Sequence, residues 1–166
     1  ELPHSVSPMS QPPIIFKNHV LLPTKDAAYV PPEIPRMNLV FSGAQLTAFP
    51  HEESITKVLR NVGYRDIQAP IQVPGTYIPR GRFNPYSHQW RMAGFTTIER
   101  RGFILSGMGS GKTSSVLWAA DYMMKRNLIR SVLIVAPLSF LRRGWEGEGV
   151  NFGPAGGGGG GRGAKK

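Results

Sequence analysis

The chain has 166 residues and a formal net charge of +10, from 20 lysines and arginines against 10 acidic residues. It contains no cysteine, which excludes disulfide bonds and thiolate metal sites and fits a reducing compartment. No apolar run is long enough to cross a bilayer, so the composition argues against a membrane protein.

The excess of positive charge predicts a polyanionic partner, because basic surfaces attract phosphate backbones. A solvated surface whose acidic complement lies elsewhere in a longer chain explains the same charge equally well. Charge alone leaves both interpretations open, and the motifs described below favour nucleic acid.

Residues 1–80 are predicted to form a proline-rich extension. Its prolines remove backbone donors and disfavour helix in the residue before each of them. Apolar segments at 14–16, 20–22 and 37–41 are typical of short strands. Residues 51–62 carry apolar side chains at helical spacing, which predicts a helix that packs on its own domain rather than on a partner.

Residues 106–113 read Ser-Gly-Met-Gly-Ser-Gly-Lys-Thr and lie between the apolar run 102–105 and an apolar-periodic stretch. A strand, a glycine loop and a helix in this order form a phosphate-binding P-loop, in which backbone N–H groups and the helix dipole face the phosphates. Lys112 is expected to reach the β- and γ-phosphate oxygens and Thr113 to hold Mg²⁺, so these two are the predicted catalytic residues. The alternative is a structural glycine turn that precedes Lys-Thr.

From residue 84 onward, helix and strand patterns alternate. Asn84-Pro85 is typical of the start of a helix that runs to about Glu99, and a second helix is predicted from Lys112 to about Arg126. The β-branched run 131–136 is typical of a buried parallel strand. This order predicts an α/β fold with a parallel sheet, whose ligands bind at the carboxyl ends of the strands.

Gln89 precedes Lys112 by twenty-three positions. Its amide offers a donor and an acceptor together, which matches the N6 and N7 groups of adenine. The alternative is an ordinary polar residue on a helix. Of its neighbours, Tyr86 is expected to pack in a core rather than touch adenine, and His88 to be structural.

Several segments together resemble helicase superfamily 2, within it the SNF2-like branch and particularly the DEAD/DEAH-like helicases of bacteriophages. They are Tyr86–Gln89, Met108–Thr113, Val132–Ser139 and Trp145. In this family the first motif often reads Met-Gly-x-Gly-Lys-Thr, so Ser106, which replaces the first glycine of the general P-loop pattern, is no departure from it. The resemblance covers residues 82–148.

The resemblance implies a RecA-like P-loop NTPase domain that begins near residue 81 and continues to about residue 150. It implies ATP and Mg²⁺ as cofactors, and ATP hydrolysis coupled to movement along DNA, with RNA as an open alternative. The residues expected to hold the nucleotide and the metal are Gln89, Gly107, Met108, Gly109, Ser110, Gly111, Lys112 and Thr113. Those expected to face the nucleic acid are Pro137, Leu138, Ser139 and Arg142.

Hydrolysis also needs an acidic pair at the end of an apolar strand, to hold Mg²⁺ and orient water. No Asp-Glu pair is present in this chain. We therefore expect the N-terminal, ATP-binding part of a motor, inactive alone, whose partner is a second RecA-like domain. Residues 151–166 contain a glycine run that predicts a flexible or corrupted tail.

The resemblance also implies a monomer in the cytoplasm, which is the host cytoplasm if the protein comes from a phage. Two rival functions stay open. One is another P-loop enzyme, such as a nucleotide kinase or transferase, and the other is a non-catalytic nucleic-acid-binding module.

Overall fold

The computed structural model describes residues 12–79 and 84–135. Within these ranges the strands form a four-stranded antiparallel sheet in the order β1-β2-β4-β3. The strands are β1 (Ile14–Phe16), β2 (His19–Pro23), β3 (Met37–Phe41) and β4 (Ala44–Pro50). The helices are α1 (Thr24–Ala27), α2 (Glu53–Val62), α3 (Ser87–Ile98) and α4 (Lys112–Lys125), with a short 3₁₀ helix at Pro70–Gln72.

Two hairpins build the sheet, and each turns over two residues. Ser42 and Gly43 join β3 to β4 with φ angles of 48° and 80°. Two successive residues with positive φ give the type I′ turn, whose twist matches that of the flanking strands. Connections this short can only join antiparallel neighbours, so each turn makes the two strands that it joins antiparallel.

One face of the sheet supports the first core. Val20 and Phe49 on the sheet pack with Leu59 of α2, and all three are fully buried. Helix α2 confirms the helix expected over 51–62, and Gly63, with φ of 125°, ends it. The strands expected at 14–16, 20–22 and 37–41 are confirmed as β1, β2 and β3, whereas β4 had no counterpart among the predictions.

A second core lies between α3, α4 and the chain that contains the 3₁₀ helix. Its buried members are Ala69, Ile71, Tyr77, Ala93, Ile98, Ala119 and Tyr122. Trp90 of α3 and Trp118 of α4 pack at its border, with ring centroids 6.3 Å apart. The starts of α3 and α4 lie side by side, which brings the chain around residue 88 next to the glycine loop.

Helix α2 joins the two cores through polar contacts. The buried hydroxyl of Tyr122 donates to Glu53 at 2.6 Å, and Arg126 lies 3.6 Å from the same carboxylate. Burial, together with the bond to Glu53, raises the pKa of the Tyr122 phenol far above its usual value. The phenol therefore stays a proton donor at every physiological pH. Lys57 adds an ion pair with Glu99 at 2.9 Å.

The expected RecA-like fold with a parallel sheet is wrong: the sheet that the structure describes is antiparallel and lies before residue 51. Neither 102–105 nor 131–135 forms a strand. Most of their side chains are exposed, as in Leu105 (93%) and Leu133 (89%), and Ile104 and Ile134 are only half-buried. Parallel strands need cover on both faces. Here α3 and α4 pack against each other and against the chain that contains the 3₁₀ helix. No described helix therefore forms a covering layer over these two runs.

The helix boundaries after residue 84 differ slightly from expectation. Helix α3 begins at Ser87, with Tyr86 as its N-cap, rather than at Asn84-Pro85. Helix α4 begins at Lys112 as expected. Asn127, with φ of 58°, adopts the left-handed conformation that is common after the end of a helix.

We expect Tyr122→Phe to lower the free energy of unfolding by about 1–3 kcal/mol, because it removes a hydrogen bond from a nearly buried carboxylate. Urea unfolding followed by circular dichroism measures the change. Tyr29→Phe is the control, since Tyr29 is 70% exposed. Its effect should stay within about 0.5 kcal/mol, and equal effects of the two variants would contradict the role given to Tyr122.

Candidate phosphate-binding site

The glycine loop ends directly in a helix. Gly109 and Gly111 have φ angles of 73° and 78°, and α4 begins at the next residue, Lys112. Gly111 is the N-cap, and no side chain caps the first turn of α4. Backbone N–H groups of an uncapped first turn are available to an anion, which the helix dipole also favours. The predicted order of loop and helix is confirmed, although the strand before them is not.

The Lys112 ammonium closes the loop on itself. Its Nζ donates to the backbone carbonyls of Ser106 at 2.9 Å and of Gly107 at 2.8 Å. The cation is thereby held at the mouth of the loop. Hydrogen bonds from an ammonium to charged phosphate oxygens are stronger than those to neutral carbonyls, so a phosphate can replace them.

Ser106, the residue that departs from the general P-loop pattern, has a role of its own. Its Oγ lies 2.8 Å from the Oγ of Ser110, so the two hydroxyls bridge the ends of the loop. A glycine at position 106 has no hydroxyl to make this bond. The substitution therefore exchanges backbone freedom for a cross-loop hydrogen bond.

The start of α3 lies against the loop. His88 Nε2 is 3.1 Å from the carbonyl oxygen of Ser110, and the Gln89 amide nitrogen is 3.5 Å from the same oxygen. Gln89 also accepts a hydrogen bond from the backbone N–H of Tyr86 at 2.9 Å. A side-chain amide has two N–H groups and two lone pairs, so Gln89 keeps one donor and one acceptor for a further partner.

The backbone conformation at Gly111 favours glycine, at the point where Gln89 meets the loop. A Cβ at this position would overlap the Gln89 amide nitrogen, so this flexible side chain would have to move. The φ of 78° is also one that residues with a side chain rarely adopt. Gly107 differs on both counts, since a Cβ there would meet nothing within 4 Å and its φ is not positive.

Tyr86 and His88 form an exposed aromatic pair beside the loop. Their rings are stacked, with centroids 5.7 Å apart and an interplanar angle of 9°. Tyr86 is 70% exposed, so the core packing expected for it is wrong. For His88 the sequence predicts only a structural role. Its neighbour Ser110 is far away in the sequence, and no local pattern predicts that proximity.

The remaining predicted residues are only partly described. Met108 is completely exposed, and Thr113 is the second residue of α4, half-buried. The residues expected to face DNA lie outside the described ranges: Pro137, Leu138, Ser139 and Arg142. Trp145 lies outside them too.

Residues 12–79 and 84–135 contain neither a metal cluster nor a membrane span. No group of three or more histidine or acidic side chains in these ranges is placed to hold a metal ion. None of their helices combines the length and apolarity that a bilayer span requires. Magnesium at a P-loop is held by a hydroxyl, by the phosphates and by an acidic residue of another strand, not by a group of three histidine or acidic side chains, so the absence of such a group in these ranges does not bear on it.

Comparison with known proteins gave no match to a family model, a curated protein or a solved structure. Function is therefore inferred from the geometry of the loop and of the residues around it.

We expect Gly111→Ala to lower the free energy of unfolding by about 1–3 kcal/mol, because alanine is strained at positive φ and its methyl group collides with Gln89. Thermal and urea unfolding measure the loss. Gly107→Ala is the matched control in the same loop and should change stability by less than about 1 kcal/mol. If both variants are as stable as the parent chain, the left-handed conformation of Gly111 does not constrain the loop in solution.

Proposed function

We propose that this chain binds ATP with Mg²⁺ at residues 106–113, as the nucleotide-binding part of an ATP-dependent DNA helicase or translocase. One observation carries the proposal. The Lys112 ammonium, the uncapped start of α4 and the Gln89 amide all converge on a single glycine loop.

The triphosphate fits the loop for physical reasons. The site supplies a cation, a helix start that no side chain caps and the positive end of a helix dipole. Nothing lies within 4 Å of the Cβ directions of Gly107 and Gly109, so the space beside the loop is open. The Thr113 hydroxyl is the group that would hold Mg²⁺, by its position directly after the lysine.

The base is expected to lie on the side of α3. The free donor and acceptor of Gln89 match N6 and N7 of adenine, and the exposed ring of Tyr86 offers a flat apolar surface next to them. This arrangement favours an adenine nucleotide over other nucleotides. It also favours the motor over a P-loop enzyme that does not select its base through such an amide.

DNA is the proposed track, in keeping with the net charge of +10 and with the resemblance in the segment Val132–Ser139. The chain has no Asp-Glu pair, so we propose that it binds ATP without turning it over. The acidic motif and a second motor domain would come from outside these 166 residues. The proposed location is the cytoplasm.

We expect Lys112→Ala to weaken the binding of ATP–Mg²⁺ at least about tenfold, because it removes the one side-chain cation of the loop. Isothermal titration calorimetry measures the dissociation constant. Lys125→Ala is the matched control, since Lys125 is on the same helix but at its other end, paired with Asp121 at 2.7 Å. It should bind ATP as the parent chain does.

Titration with GTP in place of ATP tests the base contact in the same instrument. The parent chain should prefer ATP, and Gln89→Ala should lose that preference while it keeps affinity for the phosphates. Binding that is equal for both nucleotides in the parent chain would remove the argument for an adenine site. No binding of either nucleotide would remove the proposal as a whole.

We expect no ATP turnover by this chain, with or without DNA, because the carboxylates that orient water are missing from it. A malachite-green assay of phosphate release, run with duplex and single-stranded DNA, checks this. Phosphate release that DNA stimulates and that Lys112→Ala abolishes would show that the chain contains a complete catalytic site.

A further inference from the structure

Strand β3 forms an edge of the sheet, and no strand in the described ranges pairs with its outer side. All five of its residues are exposed, and none is charged. Its register with β4 is unbroken, so it contains no bulge. Proteins usually protect a sheet edge with lysine, proline or a bulge, because an open edge pairs readily with another chain. Strand β3 carries none of these protections.

The outer side of β3 presents the backbone groups of Asn38 and Val40. The two-residue turn makes Phe41 and Ala44 a hydrogen-bonded pair, and such pairs alternate along an antiparallel ladder. Leu39 therefore directs its N–H and C=O toward β4. Asn38 and Val40 direct theirs outward, where they are free to pair with a further strand.

The face of the sheet opposite the first core is apolar up to this edge. It forms a groove of about 480 Å³ whose apolar lining includes Ile14, Phe16, Leu21, Met37, Leu39 and Leu46. The ionisable residues that line it are Lys17 and His19. With so little charge, this face suits an apolar protein surface better than a nucleic acid backbone.

We propose that two copies of this chain pair antiparallel through β3, with the two-fold axis at Leu39. In this register Leu39 faces Leu39 of the second copy, and Met37 meets Phe41. Asn38 and Val40 exchange their outward N–H and C=O groups on both sides of the axis. The chain then forms a dimer in place of the monomer expected from the sequence.

The net charge of +10 on each copy opposes close association, but the paired strands themselves carry no charge. Arg36, the cation next to β3, falls opposite Ser42 of the second copy in the same register. Its guanidinium is already held by the carbonyls of Ala27 at 3.2 Å and Val30 at 3.0 Å, and it lies 5.4 Å from the centre of the Phe49 ring. No like charges therefore face each other along the paired strands.

The exposed fractions of the β3 side chains indicate how much surface the pairing can cover. Met37 is 54% exposed, Val40 76% and Phe41 70%. Pairing along five residues covers roughly half of the about 800 Å² per partner that a standard interface buries. The dimer is therefore expected to be weak and to exchange with the monomer.

Sedimentation equilibrium of the nucleotide-free chain, from about 1 to 500 µM, tests for such a weak dimer. The parent chain should change from monomer to dimer as its concentration rises. Leu39→Lys and Leu39→Glu each place like charges directly opposite across the axis. Each should raise the dissociation constant at least about tenfold. Leu133→Lys and Leu133→Glu are matched controls at a side chain 89% exposed outside the sheet, and should leave dimerisation unchanged.

A mixture of the Leu39→Lys and Leu39→Glu chains identifies the register. Opposite charges now face each other, so the mixture should dimerise where each variant alone does not. A monomer at every concentration of the parent chain, or a dimer that both variants leave intact, overturns the proposal. So does a mixture that dimerises no better than its components.

Val40→Pro removes an outward N–H and leaves the apolar side chains of Met37, Leu39 and Phe41 in place. Proline is tolerated on an edge strand where the lost N–H faces solvent, so the monomer should keep its circular dichroism spectrum and melting temperature. The loss of this donor should make the chain monomeric across the same concentrations. A folded Val40→Pro chain that still dimerises would overturn the pairing through β3.

Discussion

The contact between Gln89 and Gly111 is the constraint on which the candidate site depends. The left-handed φ of Gly111 favours glycine at the N-cap of α4, and the Gln89 amide lies against the loop at the same point. The same amide accepts the N–H of Tyr86, so it belongs to the capping of α3 as well. One amide and one glycine therefore determine together the geometry of the loop and of both helix starts.

Some of the fold could be predicted because its causes are local. The helical spacing of apolar residues indicated α2, and the glycines before Lys112 indicated where α4 begins. Strand β4 was missed although Gln45 and Thr47 alternate with apolar neighbours, a pattern typical of a half-buried strand. It is held between β2 and β3, and the pairing of Phe49 with Val20 spans much of the region. Such long-range pairing leaves no trace in a local window.

The prediction of a parallel sheet was wrong for a different reason. A β-branched run such as 131–135 predicts that a segment prefers burial in an extended form, but it does not say which segments provide the cover. In the described part of the chain, α3 and α4 pack against each other instead of against these runs. Leu105 and Leu133 consequently remain in solvent despite their apolar character. The candidate site depends less on that layer, because its loop is closed by Lys112 and by hydroxyls within it.

The packing of Trp90 on Trp118 has a spectroscopic consequence. The two indoles lie 6.3 Å apart at an angle of 39°, one on each of the helices that flank the loop. Transition dipoles at this separation couple, so the near-ultraviolet circular dichroism of the chain contains a signal that depends on their mutual orientation. A rotation of one helix against the other changes that signal without any dye or label. The chain thus carries its own optical reporter of movement around the glycine loop.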